Sequence, residues 1–227
     1  MKPLPETFPL LKNTGAILIV WIISMTLCHS EGPPQEKGEF RKPDLVELIK
    51  LDPTIHLDIR YATTHNFVGR AVYKEARAFL QRPAAEALAR VNRALEKKGY
   101  GLLIFDGYRP WHVTKIFWDF MPADKKQFVT DPNQGSPHSR GCAVDLSMFD
   151  LKTGKAVKMP SEFDEWTDRS QINHQGGSKD SHRLRDLLRF AMEAEDFSPA
   201  ELEWWHYNYK DWADYQILDL KFSEVKP

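Results

Sequence analysis

Two short segments about sixty residues apart constrain this chain more than any other feature: SPHSRGCAVD, ending at Asp145, and ELEWWHY, beginning at Glu201. Between them they carry His138, Asp145, Glu203 and His206. Two imidazoles and a carboxylate can hold a divalent metal and leave one coordination position open for water, which separates a hydrolytic site from a closed structural one. Glu203 is then a spare carboxylate able to move protons. Taken singly, each half reads as readily as surface histidine, core aromatic and solvated acid. Taken together they favour one shared site, and any fold for the chain has to bring the two segments side by side.

Local patterning adds geometry. Cys142, Val144, Leu146 and Met148 alternate with Ala143, Asp145 and Ser147, as in a strand whose apolar side faces a core. Asp145 therefore points into a cleft or solvent. His138 lies in the loop just ahead, where the chain reverses at Gly141. The aromatic run from Leu202 to Tyr209 reads as a last strand. Glu203 and His206 are three residues apart, however, which puts them on opposite faces of a regular strand. A bulge or a strand end near Trp205 is needed if both are to serve one site.

Pro83 followed by Ala84, Ala87, Leu88, Val91 and Leu95, with Gly99 beyond, predicts an amphipathic helix. Leu102 to Phe105 predicts a buried strand that delivers Asp106-Gly107-Tyr108-Arg109-Pro110 to its end, where functional groups commonly sit. Arg109 is a fixed charge at that turn. Its forked donors suit an oxyanion or a substrate carboxylate, and equally a structural pair with Asp106. Leu184, Leu187, Leu188 and Ala191 mark a second helix, capped by Ser178 or Asp180. His56 with His65 and His174 with His182 lack a matching carboxylate pattern and read as surface residues.

At 227 residues and 42% hydrophobic content the chain suits one sizeable domain. Its 31 basic and 32 acidic side chains give a net charge of -1, so there is no global attraction to nucleic acid or anionic lipid. Residues 1–30 carry the apolar run Ala16 to Cys28, too short for comfortable membrane crossing, and are expected to be a signal peptide or a membrane anchor. That reading makes the protein exported, periplasmic or extracellular, with membrane association only through an uncleaved segment. Cleavage removes Cys28 and leaves Cys142 alone, so no intramolecular disulfide is expected. Residues 31–44, rich in Pro and Gly, read as a linker, and 45–227 as the folded domain.

SPHSRGCAVD fits the pattern S-x-H-x-x-G-x-A-x-D, and with DIRYATTHNFVGRAVY, GYGLLIFDGYRP, SEFDEWTDRS and EWWH the chain resembles the zinc D-alanyl-D-alanine dipeptidases. The resemblance runs from about Asp58 to Tyr207. It implies one zinc ion per chain, with His138, Asp145 and His206 as ligands, Glu203 as general base and Arg109 stabilising the transition state. It further implies Ser136 and Tyr73 near the substrate carboxylate, and Asp164 and Tyr61 near its free amine. The implied fold is α+β: a single compact domain with a central antiparallel sheet flanked by helices and the zinc site in a cleft on that sheet. Two alternatives stay open: a D,D-carboxypeptidase or endopeptidase on longer wall peptides, and a non-catalytic zinc-binding module like the hedgehog domain.

Overall fold

The computed structural model describes residues 32–226, so the signal-peptide or anchor reading of residues 1–30 lies outside the described residues. Among those described, no helix is long and apolar enough to cross a membrane. In chain order the elements are β1 (Leu45–Glu47), α1 (Leu48–Leu51), β2 (His56–Leu57), β3 (Phe79–Gln81), α2 (Arg82–Glu96) and β4 (Tyr100–Asp106). These are followed by α3 (Trp111–Phe120), β5 (Ala143–Asp150), α4 (Lys179–Glu193), β6 (Phe197–Pro199) and β7 (His206–Tyr209).

The main sheet has the order β2-β4-β5-β7-β6, and β1 pairs with β3 in a separate two-stranded ribbon. The pairs β4/β5, β5/β7 and β6/β7 are antiparallel, whereas β2 runs parallel to β4. The mixed α/β fold agrees with expectation, but its sheet is not purely antiparallel. The reason is connectivity: the chain leaves β2, passes through β3 and α2, and re-enters at β4, the long crossover that parallel neighbours require.

α2 forms where the apolar spacing places it, with Pro83 in its first turn, where a missing N–H costs nothing. Ala84, Leu88, Val91 and Leu95 are fully buried, and the helix packs on β4 and on α4. Gly99, at φ 88°, then turns the chain into β4. α4 starts at the cap Ser178, whose hydroxyl accepts the Ser181 N–H at 3.0 Å. In β5 every residue from Ala143 to Phe149 is buried. Its even positions enter the core as expected, and on the odd face Asp145 and Ser147 each line a cavity walled in part by residues from 156–166.

The expected strand from Leu202 to Tyr209 is shortened to His206–Tyr209. Trp204 explains the difference. Its backbone N–H donates to Ser170 O at 2.8 Å and its indole to Ser161 Oγ at 2.8 Å, which draws residues 201–204 away from the sheet, while Trp205 O still accepts the Leu146 N–H at 3.0 Å. The strand end required near Trp205 is therefore present, and Glu203 is freed from strand parity. Within the stretch read as a linker, Glu36 accepts from Arg140 and from Ile217 N–H at 2.8 Å, and Arg41 N–H donates to Asp214 O at 2.8 Å.

Candidate active site

Three strands present one row of polar side chains. Asp145 on β5 lies directly opposite His206 on β7, and on its other side opposite Asp106 on β4. A register shift between Ile104 and Asp106 is what brings Asp106 into that row. His138 reaches the same place from the 3-10 turn His138–Arg140, which Gly141 ends at φ 73°. A side chain at Gly141 is disfavoured by that left-handed backbone, and its Cβ, 2.5 Å from Leu45 Cδ2, would force the leucine to move.

The donor atoms that converge are His138 Nε2, Asp145 Oδ1 and His206 Nδ1. Their separations are 3.1 Å between the imidazoles, 3.0 Å from His206 to Asp145 and 3.3 Å from His138 to Asp145. Donors held about 2.0–2.1 Å from a tetrahedral ion span about 3.3 Å, so this triangle fits one face of a zinc coordination sphere. Each ligand is also held from behind. His138 Nδ1 donates to Gly107 O at 2.7 Å and His206 Nε2 to Asn208 Oδ1 at 2.9 Å, which leaves the converging nitrogens as lone pairs. Asp145 Oδ2 accepts from Arg109 Nη2 at 3.2 Å, leaving Oδ1 for the metal.

Replacing Asn208 with Ala should therefore weaken zinc binding by about 10–100-fold. Competition against a chelator measures this, and an unaltered affinity would remove Asn208 from the ligand-orienting role.

The surrounding charges favour the same chemistry. Burial pushes the His138 imidazole down, so it is neutral and able to bind metal. Burial opposes ionisation of Asp145, but His138 and His206 overcome it and hold the carboxyl well below the ordinary range. Burial likewise works against the charged form of His206, and Asp145 outweighs it, raising the imidazole. Glu203 is pushed up to about 7, chiefly by burial, with His206 opposing and Asp145 adding.

The triad opens onto a cavity of about 210 Å³ that is also lined by Tyr61, Arg109, Ser136, Asp164, Trp166 and Glu203. Of the nine residues singled out in the sequence, eight meet there. Ser136 Oγ accepts the His138 N–H at 3.2 Å, so it anchors the ligand turn as well as lining the cavity. Tyr61 donates to Asp164 at 3.1 Å. Asp164 holds a left-handed backbone at φ 60°, and burial together with Asp145 and Glu203 raises its carboxyl well above the ordinary range.

Tyr73, expected near the substrate carboxylate, is the residue that does not line this cavity. Its hydroxyl donates instead to Asp106 at 2.9 Å. Asp106 in turn accepts Arg109 Nε at 2.8 Å. Arg109 is thus both a structural partner of Asp106 and a charge at the cavity. Asn208 and Trp166 were missed. Strand parity could have flagged Asn208, two residues beyond His206 on the same face, whereas Trp166 sits in an irregular segment that offers no periodic signal.

Two imidazoles and a carboxylate arranged for one metal, with a spare carboxylate and an arginine lining the same cavity, define a mononuclear metallopeptidase. Residues 41–226 match the peptidase family described as D-ala-D-ala dipeptidase, and the chain belongs to that family. It is 34% identical over 180 residues to the D-alanyl-D-alanine dipeptidase of Escherichia coli (strain K12), covering 79% of this chain and 92% of that one. It is also 34% identical over 182 residues to the D-alanyl-D-alanine dipeptidase of Enterococcus faecium, covering 71% and 90%. Among solved structures, the LD-carboxypeptidase LdcB is similar at 22% identity and a TM-score of 0.44, over 84% of this chain and 82% of that one.

Proposed function

We propose that this protein hydrolyses D-alanyl-D-alanine to two D-alanines, using one zinc ion held by His138, Asp145 and His206 in a cleft on the face of β5 and β7. The observation that carries the reading is the triangle of donor atoms 3.0–3.3 Å apart, opening onto a cavity shared with Glu203, Arg109 and Asp164. Zinc, when bound, supplies a Lewis acid that polarises the peptide carbonyl and makes the attacking water more acidic. Glu203 accepts the proton of that water and passes it to the leaving amine. Arg109 stabilises the oxyanion that develops on the former carbonyl. A purely structural zinc module has no use for these two groups beside its ligands. Purified zinc-loaded protein that releases no D-alanine from the dipeptide would refute the assignment.

The substrate is zwitterionic, and Asp164 with Tyr61 supplies an acidic end of the cavity for its ammonium. A site that pairs its acid with such a charge rejects an analogue that lacks it, because the blocked amine brings no charge to Asp164 and adds bulk beside it. Acetylating the amine of D-Ala-D-Ala should therefore lower kcat/KM by about 10³-fold or more. Comparable rates on the blocked and free dipeptides would favour the carboxypeptidase or endopeptidase reading on longer peptides instead.

The apolar N-terminal run supports export, which would have the enzyme meet its dipeptide outside the cytoplasm. Sequencing the N-terminus of mature protein from cell fractions tests this. A cytoplasmic chain beginning at Met1 is the outcome that rejects it.

A further inference from the structure

Glu203 moves the proton in the reaction proposed above, yet regular structure does little to hold its side chain. It sits in the turn ahead of β7, where the His206 N–H reaches its backbone carbonyl at 3.1 Å, and its carboxylate faces the cavity. A general base works best when its carboxylate is held within reach of the water it must deprotonate. Trp166 lines the same cavity, and its indole Nε1 is buried without an acceptor at hydrogen-bonding distance and angle. Buried donors left without a partner are rare enough in folded proteins to require an explanation.

An indole donor with no acceptor in hydrogen-bonding geometry and the Glu203 carboxylate thus line one cavity. As a donor toward Glu203 the indole favours the ionised carboxylate, against the larger upward push of burial. The ring itself is fixed: Phe67 meets it edge-on with centroids 4.8 Å apart, Phe128 stacks on it at 6.0 Å, and Lys125 Nζ donates to its backbone carbonyl at 3.1 Å. Catalytic hydrogen bonds are often long in the free enzyme and close when substrate is bound.

We infer that Trp166 is the positioning residue for the general base: its indole N–H closes onto one Glu203 carboxylate oxygen when the cavity fills, leaving the other oxygen to take the proton from water. Trp166 keeps its own proton throughout, and the proton taken by Glu203 leaves on the amine. The inference rests on the reading of Glu203 as base, so its test needs a readout that does not depend on turnover.

Two measurements on zinc-loaded full-length protein supply it. In W166F, which keeps an aromatic wall and removes the donor, kcat should fall by about 10- to 100-fold with KM little changed. In native protein carrying a nitrogen-15 label, the sequentially assigned Trp166 indole resonance should move downfield on adding a phosphinate analogue of the dipeptide, and E203A should abolish that movement. An indole resonance indifferent to E203A overturns the inference even if the enzyme is an active dipeptidase. A rise in KM at constant kcat in W166F also overturns it, because the N–H would then serve the substrate directly. If W166F does not fold, the E203A comparison still decides.

Discussion

Replacing Glu203 with Gln is expected to lower kcat for D-alanyl-D-alanine by about 10²- to 10⁴-fold while one zinc ion per chain stays bound. The substitution keeps the shape of the side chain and removes its ability to accept a proton. Retained metal follows from geometry: the converging donor atoms belong to His138, Asp145 and His206, and Glu203 is outside that set. The zinc content of purified E203Q, measured beside kcat, separates the roles. Lost zinc, or turnover within about tenfold of the parent, would contradict the division of labour between ligands and base. In the parent enzyme, kcat/KM should also fall as acid protonates Glu203. Burial pushes that carboxyl up to about 7, and a dication at the triad pulls it back down, so the acid limb is expected below neutrality. This limb should be missing from the residual activity of E203Q.

Much of this site was legible before any coordinates, and what was not has identifiable causes. Strand parity placed Asp145 on the polar side of β5, and the three-residue spacing of Glu203 and His206 demanded a strand end near Trp205; both features are present. That Asp145 and His206 face each other across adjacent strands was not readable, because register depends on long-range pairing that no local pattern encodes. Tyr73 and Asp106 illustrate the same limit. Resemblance suggested a substrate contact for Tyr73, whereas a shift in the β4 register puts Asp106 between Tyr73 and Arg109. In the fold, α2, β4 and α4 were visible through apolar periodicity over several residues. β1, β2, β3 and β6 span two or three residues each, too few for any period to show.

Arg109 yields the second large effect, and there stability and catalysis should separate. The guanidinium is shared: Nε binds Asp106 at 2.8 Å, Nη2 binds Asp145 at 3.2 Å, and the group lies over Phe117 with 4.8 Å to the ring centroid while still lining the cavity. R109A should lower kcat/KM by about 10²- to 10³-fold through loss of charge at the oxyanion. It should also destabilise the fold by about 3–5 kcal/mol, the usual cost of stranding one partner of a buried pair. The stranded partner is Asp106, since a zinc ion compensates Asp145 whereas Asp106 keeps just the Tyr73 hydroxyl and the Gly107 N–H at 2.9 Å. Adding D106N to R109A removes the uncompensated charge, so the double variant should recover part of the stability and none of the activity. That non-additivity in denaturant midpoints, beside additive loss in kcat/KM, distinguishes the two jobs of one side chain. R109K gives the complementary result. A lysine is a point charge without the fork needed to hold both carboxylates, so it should regain some stability while its kcat remains depressed. An R109K enzyme with near-parent kcat would show that a positive charge suffices and that the seat built by Tyr73 and Asp106 serves folding alone.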